Sequence, residues 1–202
     1  MKLYYSPGAC SLSPHIVACE AGLPIELINV DLSSKRTETG EDFLHLNPNG
    51  YVPVLILNDG NLLTEGPAIV QFLADLAPDK NLVPPAGTFE RYRLQQWLNF
   101  ISTEIHKSFA LLFKPAAPEA AKQFAIDTLM TRLETTAEHL SSHPYLLGEN
   151  FSVADAYLFV TLSWGHYVNI DISQWPALSG YKDKIAKRPA VLKAMKEEGL
   201  IK

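Results

Sequence analysis

The chain has 202 residues, 47% of them hydrophobic and 19% charged, with a formal net charge of −5. That much apolar side chain excludes a disordered chain and allows one large domain or two small ones, each with a core of its own. No Lys/Arg-rich run supplies a basic footprint and no apolar run reaches the roughly 18 residues of a membrane span, so neither nucleic acid nor membrane is an expected partner.

The first 80 residues alternate short apolar runs with helical patterns. KLYY, Lys2 to Tyr5, reads as a buried strand stopped by Ser6-Pro7-Gly8. Ser13 before Pro14 reads as an N-cap with proline at the first helical position, and HIVACEA then runs as a helix to Gly22. IELINV reads as a second strand, and Glu41 to Leu46 as a short helix ended by Asn47-Pro48-Asn49-Gly50. PVLIL (Pro53 to Leu57), the turn Asn58-Asp59-Gly60-Asn61 and LLT read as a hairpin. Gly66-Pro67 opens a helix, AIVQFLADLA. The order is βαβαββα, a small mixed sheet with helices on its faces.

Strand signals stop after Asp79. A linker is expected over 81–87, between a domain at 1–80 and an all-helical domain at 88–202. Thr88 to Phe113 shows a long amphipathic pattern without Pro or Gly. Further helices are expected from about Pro118 to Leu140, from Ser152, after Trp175-Pro176 and after Arg188-Pro189. The fold class is therefore α/β followed by all-α.

Cys10 is the first residue with chemistry to offer. It lies in a Gly-containing turn just before a helix, where the helix dipole lowers a thiol's pKa. Ser13 stands where a redox motif would place a resolving cysteine. Cys10 therefore faces an external thiol or is a small buried hydrophobe. Cys19, mid-helix among Ile16, Val17 and Ala18, reads as packing. With no C-x₂-C pair and no metal-ligand spacing among His15, His45, His139, His143 and His166, no metal is expected. The start MKLYYSPGACS has no apolar core of a signal peptide, so a cytoplasmic protein with reduced cysteines is expected.

Three more places carry signals. Val52-Pro53 opens a strand after a turn, and a cis bond there would leave the Val52 N–H and C=O for an extended peptide. In Thr64-Glu65-Gly66-Pro67, open N–H groups at a helix start suit a carboxylate, and Glu65 beside them suits an ammonium group. Both charges sit on the free end of an amino acid. Along the long helix, Gln95, Asn99, Thr103 and His106 share a face, and His106 can exchange a proton near neutral pH. Phe151-Ser152-Val153-Ala154-Asp155 reads as a capping box, structural rather than catalytic.

These residues resemble those of the cytosolic glutathione transferases, and among them the bacterial beta class. The carriers are MKLYYSPGACSLSPHI, NPNGYVPVL, LLTEGPAIVQFLAD, WLNFISTEIHKSF and FSVADAYLF, in that order over nearly the whole chain. The resemblance implies a thioredoxin-like N-terminal domain, an all-helical C-terminal domain and a homodimer. It implies conjugation of glutathione, as co-substrate and without another cofactor, to apolar electrophiles. Cys10 matches the class's cysteine near the glutathione sulfur, and His106 the histidine that approaches that sulfur. Val52, before the cis proline Pro53, matches the backbone clamp on the cysteinyl part. Glu65 and Gly66 match the γ-glutamyl site and Lys35 the lysine near the glycine carboxylate. Asn99, Thr103 and Glu104 match residues lining the site, and Tyr5 an aromatic near the sulfur. Phe109, Phe113, Tyr157, Trp164 and Tyr167 are the expected apolar lining for the second substrate. Tyr51 replaces a common Gln and Pro67 a common aliphatic residue, and both departures bear on affinity. Two rival readings stay open: a glutathione-dependent thiol–disulfide oxidoreductase using Cys10, and a non-catalytic binding protein that kept the fold.

Overall fold

The computed structural model describes all 202 residues. They form two compact units, one of Met1–Leu82 with Arg188–Lys202 and one of Val83–Lys187. The expected partition keeps 88–202 together. The compact units instead place the last fifteen residues with the first unit.

In the first unit, β1 (Lys2–Tyr5), β2 (Glu26–Asp31), β3 (Arg36–Thr37), β4 (Val54–Ile56) and β5 (Leu62–Thr64) form one sheet in the order β3-β2-β1-β4-β5. β1 runs parallel to β2 through the crossover helix α1 (Leu12–Ala21), and antiparallel to β4. The central strand is buried on both faces, as its unbroken apolar run implies, and Leu3, Val54 and Leu55 are fully enclosed. β3 is one strand more than the sequence reading contains. Two residues carry no periodicity, and β3 exists only because the chain turns back onto β2. The short α2 (Phe43–Leu46) is capped by Asp42, whose side chain accepts from the Leu44 N–H.

α1 begins two residues earlier than Ser13-Pro14 suggests. Its N-cap is Ser11, while the Ser13 hydroxyl donates back to the Cys10 carbonyl at 2.9 Å. Pro14 is then the third helical residue, where the missing N–H costs nothing. Gly22 closes the helix in the left-handed conformation, as expected.

α3 (Gly66–Asp75) and α9 (Pro189–Glu197) pack against α1. Three polar ties hold α9 there. Arg188 grips Glu20 through two hydrogen bonds of 2.6 and 3.1 Å. Buried His15 meets Glu197 at 2.8 Å and Glu198 at 3.0 Å. Glu198 also accepts the Gly8 N–H at 2.9 Å. The turn that leads to Cys10 is thus anchored by the chain's far end.

The second unit is helical: α4 (Phe89–Phe100), α5 (Lys107–Leu112), α6 (Glu119–Ser142), α7 (Val153–Ser163) and α8 (Pro176–Ala186). A π-helical segment, Ile101–His106, joins α4 to α5, so the expected uninterrupted helix changes pitch on the way. α7 is buried from Val153 to Leu162, consistent with a helix apolar on every side. Asp155 reaches back to the Ser152 N–H at 2.8 Å, the expected capping contact. No helix is long and apolar enough to cross a membrane.

Candidate functional site

In the first unit the sheet topology gathers four of the expected segments. Cys10 follows β1 and Val52 precedes β4, which pairs with β1, so the two meet: the Cys10 thiol donates to the Val52 carbonyl at 3.2 Å. The Val52-Pro53 bond is cis. The Val52 N–H has no partner within the chain, while its carbonyl is engaged by the thiol. Pro53 borders Gly66, its ring 3.9 Å from where a side chain on Gly66 would begin.

The Cys10 thiol differs from expectation. The helix start was expected to lower its pKa. Burial instead pushes it up to about 12, against the pull of the Cys10 and Ser11 N–H groups, with Glu65 adding to the rise. Desolvation of a thiolate outweighs two partial charges of a helix end. Near pH 7 Cys10 is a neutral hydrogen-bond donor.

Glu65, expected beside the helix start, is itself the N-cap of α3, and its side chain is exposed. Its carbonyl accepts from both Ala68 and Ile69 at 3.0 Å. Gly66 is the first helical residue of α3. Pro67 has no N–H to offer, so the Gly66 N–H is the open donor at this end. Glu65 sits at φ 67° and ψ 111°, a conformation rare for any residue but glycine.

Lys35 lies over the Gly50 end of the loop leading to Val52, its ammonium donating to the Gly50 carbonyl at 2.9 Å. Tyr5 is the last residue of β1. Its ring is buried 6.4 Å from that of His15, and burial, with Glu198 and Glu38, raises its pKa. It carries no hydrogen bond to Cys10.

In the second unit, the π-helical segment presents Thr103 and His106. The Thr103 hydroxyl donates to the Asn99 carbonyl at 3.0 Å, one turn back. Glu104 is held by Arg132 at 2.8 Å, so its carboxylate already has a cation. His106 Nδ1 lies 2.6 Å from the Tyr157 hydroxyl, and its ring packs 4.8 Å from Trp164. Burial, helped by Lys107, lowers the His106 pKa to about 4. Either the phenol donates into Nδ1, which puts the ring's own proton on Nε2, or Nδ1–H donates to the phenol oxygen. In both tautomers the ring is neutral near pH 7. In ¹⁵N NMR spectra its imidazole is expected to show no titration between about pH 6 and pH 8. A His106 midpoint in that interval would contradict the burial argument.

Phe109, Phe113, Tyr157 and Trp164 cluster around this histidine, with Phe109 and Phe113 5.8 and 5.9 Å from Trp164. Phe109 and Tyr157 are buried, leaving Phe113 as the exposed ring of the group. Tyr167 stands apart, its ring tilted against that of His166 at 3.7 Å. A shallow cavity of about 470 Å³, lined by Tyr4, Thr37, Phe43 and their neighbours, contains none of these residues.

The arrangement matches known proteins over its full length. Residues 8–76 match the profile of the glutathione S-transferase N-terminal domain, and residues 100–189 that of the glutathione S-transferase C-terminal domain. The glutathione S-transferase GstA of Escherichia coli O157:H7 is 44% identical over 200 residues, covering 99% of this chain and 100% of that protein. The chain belongs to the glutathione S-transferase family. Among solved structures, the ternary complex of BphK, a bacterial member of the family, is 58% identical with a TM-score of 0.97, covering 98% of this chain and 100% of that one. A sphingomonad glutathione S-transferase complexed with glutathione is 48% identical with a TM-score of 0.96, covering 100% of both chains. The family members matched include one of the bacterial beta class, as the sequence resemblance implies.

Proposed function

We propose that this chain is a glutathione transferase that joins reduced glutathione to apolar electrophiles. The observation that carries the reading is the half-buried Cys10 thiol, bonded to the Val52 carbonyl at 3.2 Å beside the open N–H groups of Val52 and Gly66. An extended tripeptide pairs with Val52 in the manner of an added strand. Its amino-acid end meets the Gly66 N–H and the Glu65 carboxylate, and Lys35 serves the other carboxylate. By the family resemblance, His106 is assigned the histidine that serves the tripeptide's sulfur, and Asn99, Thr103 and Glu104 are assigned to the lining.

Cys10 held at about 12 is a poor nucleophile at neutral pH, so the attacking sulfur is glutathione's own. That thiol gives up its proton to solvent water, and the thiolate attacks the electrophilic carbon. With chloro-dinitrobenzene the C–S bond forms as the C–Cl bond breaks, and chloride leaves with the electron pair. The same protonation state argues against a thiol–disulfide exchange enzyme, which needs Cys10 as thiolate.

The test is Cys10→Ala. Conjugation of chloro-dinitrobenzene is expected to stay within about tenfold of the parent, since one neutral hydrogen bond contributes roughly 0.5–1.5 kcal/mol. Complete loss of conjugation with glutathione binding intact would sink the scheme and restore Cys10 as nucleophile.

The reading includes a homodimer in the cytoplasm, where glutathione keeps thiols such as Cys10 and Cys19 reduced. Tyr51 in the first unit and Phe89 and Tyr92 in the second are exposed aromatic side chains of the kind a second copy covers. Light scattering at twice the chain mass is the expected result, and a monomer at micromolar concentration is the contrary one.

A further inference from the structure

We propose that His15, Cys19 and Glu197 form a site for a divalent ion of the zinc type, separate from Cys10, which pins α9 to α1. His15 and Cys19 are four residues apart on α1 and so share a face. Glu197 is the last residue of α9, which packs on that face. One donor atom from each residue, a ring nitrogen, a sulfur and a carboxylate oxygen, lies within 4.8 Å of the other two. A tetrahedral zinc ion with bonds of about 2.0–2.3 Å holds its ligands roughly 3.3–3.8 Å apart, so small side-chain rotations suffice.

The surroundings are those of a prepared ligand. Metal-binding histidines almost always give their second nitrogen to a carboxylate or carbonyl, which fixes tautomer and ring angle. Here His15 Nδ1 is 3.0 Å from Glu198 Oε1, and Glu198 Oε2 accepts the Gly8 N–H at 2.9 Å. The His15 and Glu198 side chains are 1% and 0% exposed, so neither can swing away. That leaves His15 Nε2 directed at Glu197 and the Cys19 side. Cys19 is half-buried and the Glu197 side chain 42% exposed, which gives an ion a way in and leaves a fourth position to water. A metal-free cluster, with Cys19, Glu197 and Glu198 all hydrogen-bonded to the His15 ring, accounts for the same residues. The distinction is therefore experimental, and it turns on Cys19. Sequence spacing did not expose the site because Glu197 lies 178 positions after Cys19.

The experiment uses the full chain, stripped with chelator and titrated with zinc chloride against a chromophoric competitor, with cobalt chloride as a spectroscopic probe. The expected result is one zinc per chain at micromolar or lower free zinc, and a thiolate-to-cobalt charge-transfer band. Removing even an orienting partner of a ligand typically costs 10–100-fold in affinity. Cys19→Ser and Glu197→Gln should therefore each weaken binding by about 100-fold and remove the thermal stabilisation that saturating zinc confers. Cys10→Ser should bind zinc as the parent does. The proposal is overturned by any of three outcomes: no uptake at micromolar free zinc, unchanged affinity in Cys19→Ser, or loss of binding in Cys10→Ser instead.

Discussion

Asp155→Ala is expected to destabilise the chain by about 4 kcal/mol, a drop of roughly 10 °C in melting temperature for a protein of this size. The carboxylate is buried and accepts four hydrogen bonds: from the Leu146 N–H at 2.9 Å, the Ser152 N–H and hydroxyl at 2.8 Å each, and the Tyr181 hydroxyl at 2.9 Å. It ties the loop before α7, the start of α7 and the side of α8 to one point. Removing it leaves several donors in a dry interior, where each unpaired group costs roughly 1–3 kcal/mol. Tyr181→Phe removes one donor and leaves the carboxylate with three, so about 1 kcal/mol is expected for that change. Differential scanning calorimetry of the two variants measures the contrast. The folded fraction of Asp155→Ala should bind glutathione with the parent's affinity, because Asp155 belongs to the frame of the second unit and not to the thiol chemistry. A melting temperature within 2–3 °C of the parent would mean that water or a rearranged loop replaces the carboxylate.

The cap at Ser152 was legible because its signal lies in four consecutive residues. The same holds for Gly22, for the Gly66-Pro67 helix start and for the hairpin turn at Asn58 to Asn61. Local chemistry writes these into adjacent positions. What escaped the sequence is what depends on partners far along the chain. Cys10 illustrates the limit: its helix start is visible in the residues that follow it, but its burial comes from Val52 and the sheet, and burial wins. Glu104 looked available until α6 brought Arg132 to it. The Tyr5 ring packs 6.4 Å from that of His15, a neighbour that no local pattern announces. The π-helical segment has no Pro or Gly to announce it. The family resemblance bridged part of this gap for the γ-glutamyl end, but not the backbone strain there. That strain supplies the more discriminating test.

Glu65→Gly is expected to raise stability while weakening glutathione binding, two effects that a generally damaging substitution cannot produce together. At φ 67° and ψ 111° a side chain is held in a region costing about 1–3 kcal/mol, which glycine adopts freely. The unfolded chain gains freedom with glycine, so the net gain over Glu65→Ala should be about 1 kcal/mol. The fold retains the strain because the Glu65 carbonyl must cap both the Ala68 and Ile69 N–H groups as the chain turns from β5 into α3. Meanwhile the exposed carboxylate is the partner we assign to the ammonium of the tripeptide. Losing a charge-assisted hydrogen bond costs roughly 1.5–3 kcal/mol, or about 10–100-fold in Kd. Glu65→Gly and Glu65→Ala should therefore bind glutathione equally weakly by calorimetry, yet differ in melting temperature, with the glycine variant higher. Equal melting temperatures would remove the strain argument. Parent-like affinity in both variants would remove Glu65 from the binding site. If both expectations hold, the strained backbone is the cost of aiming one carboxylate and one N–H at the same amino-acid end.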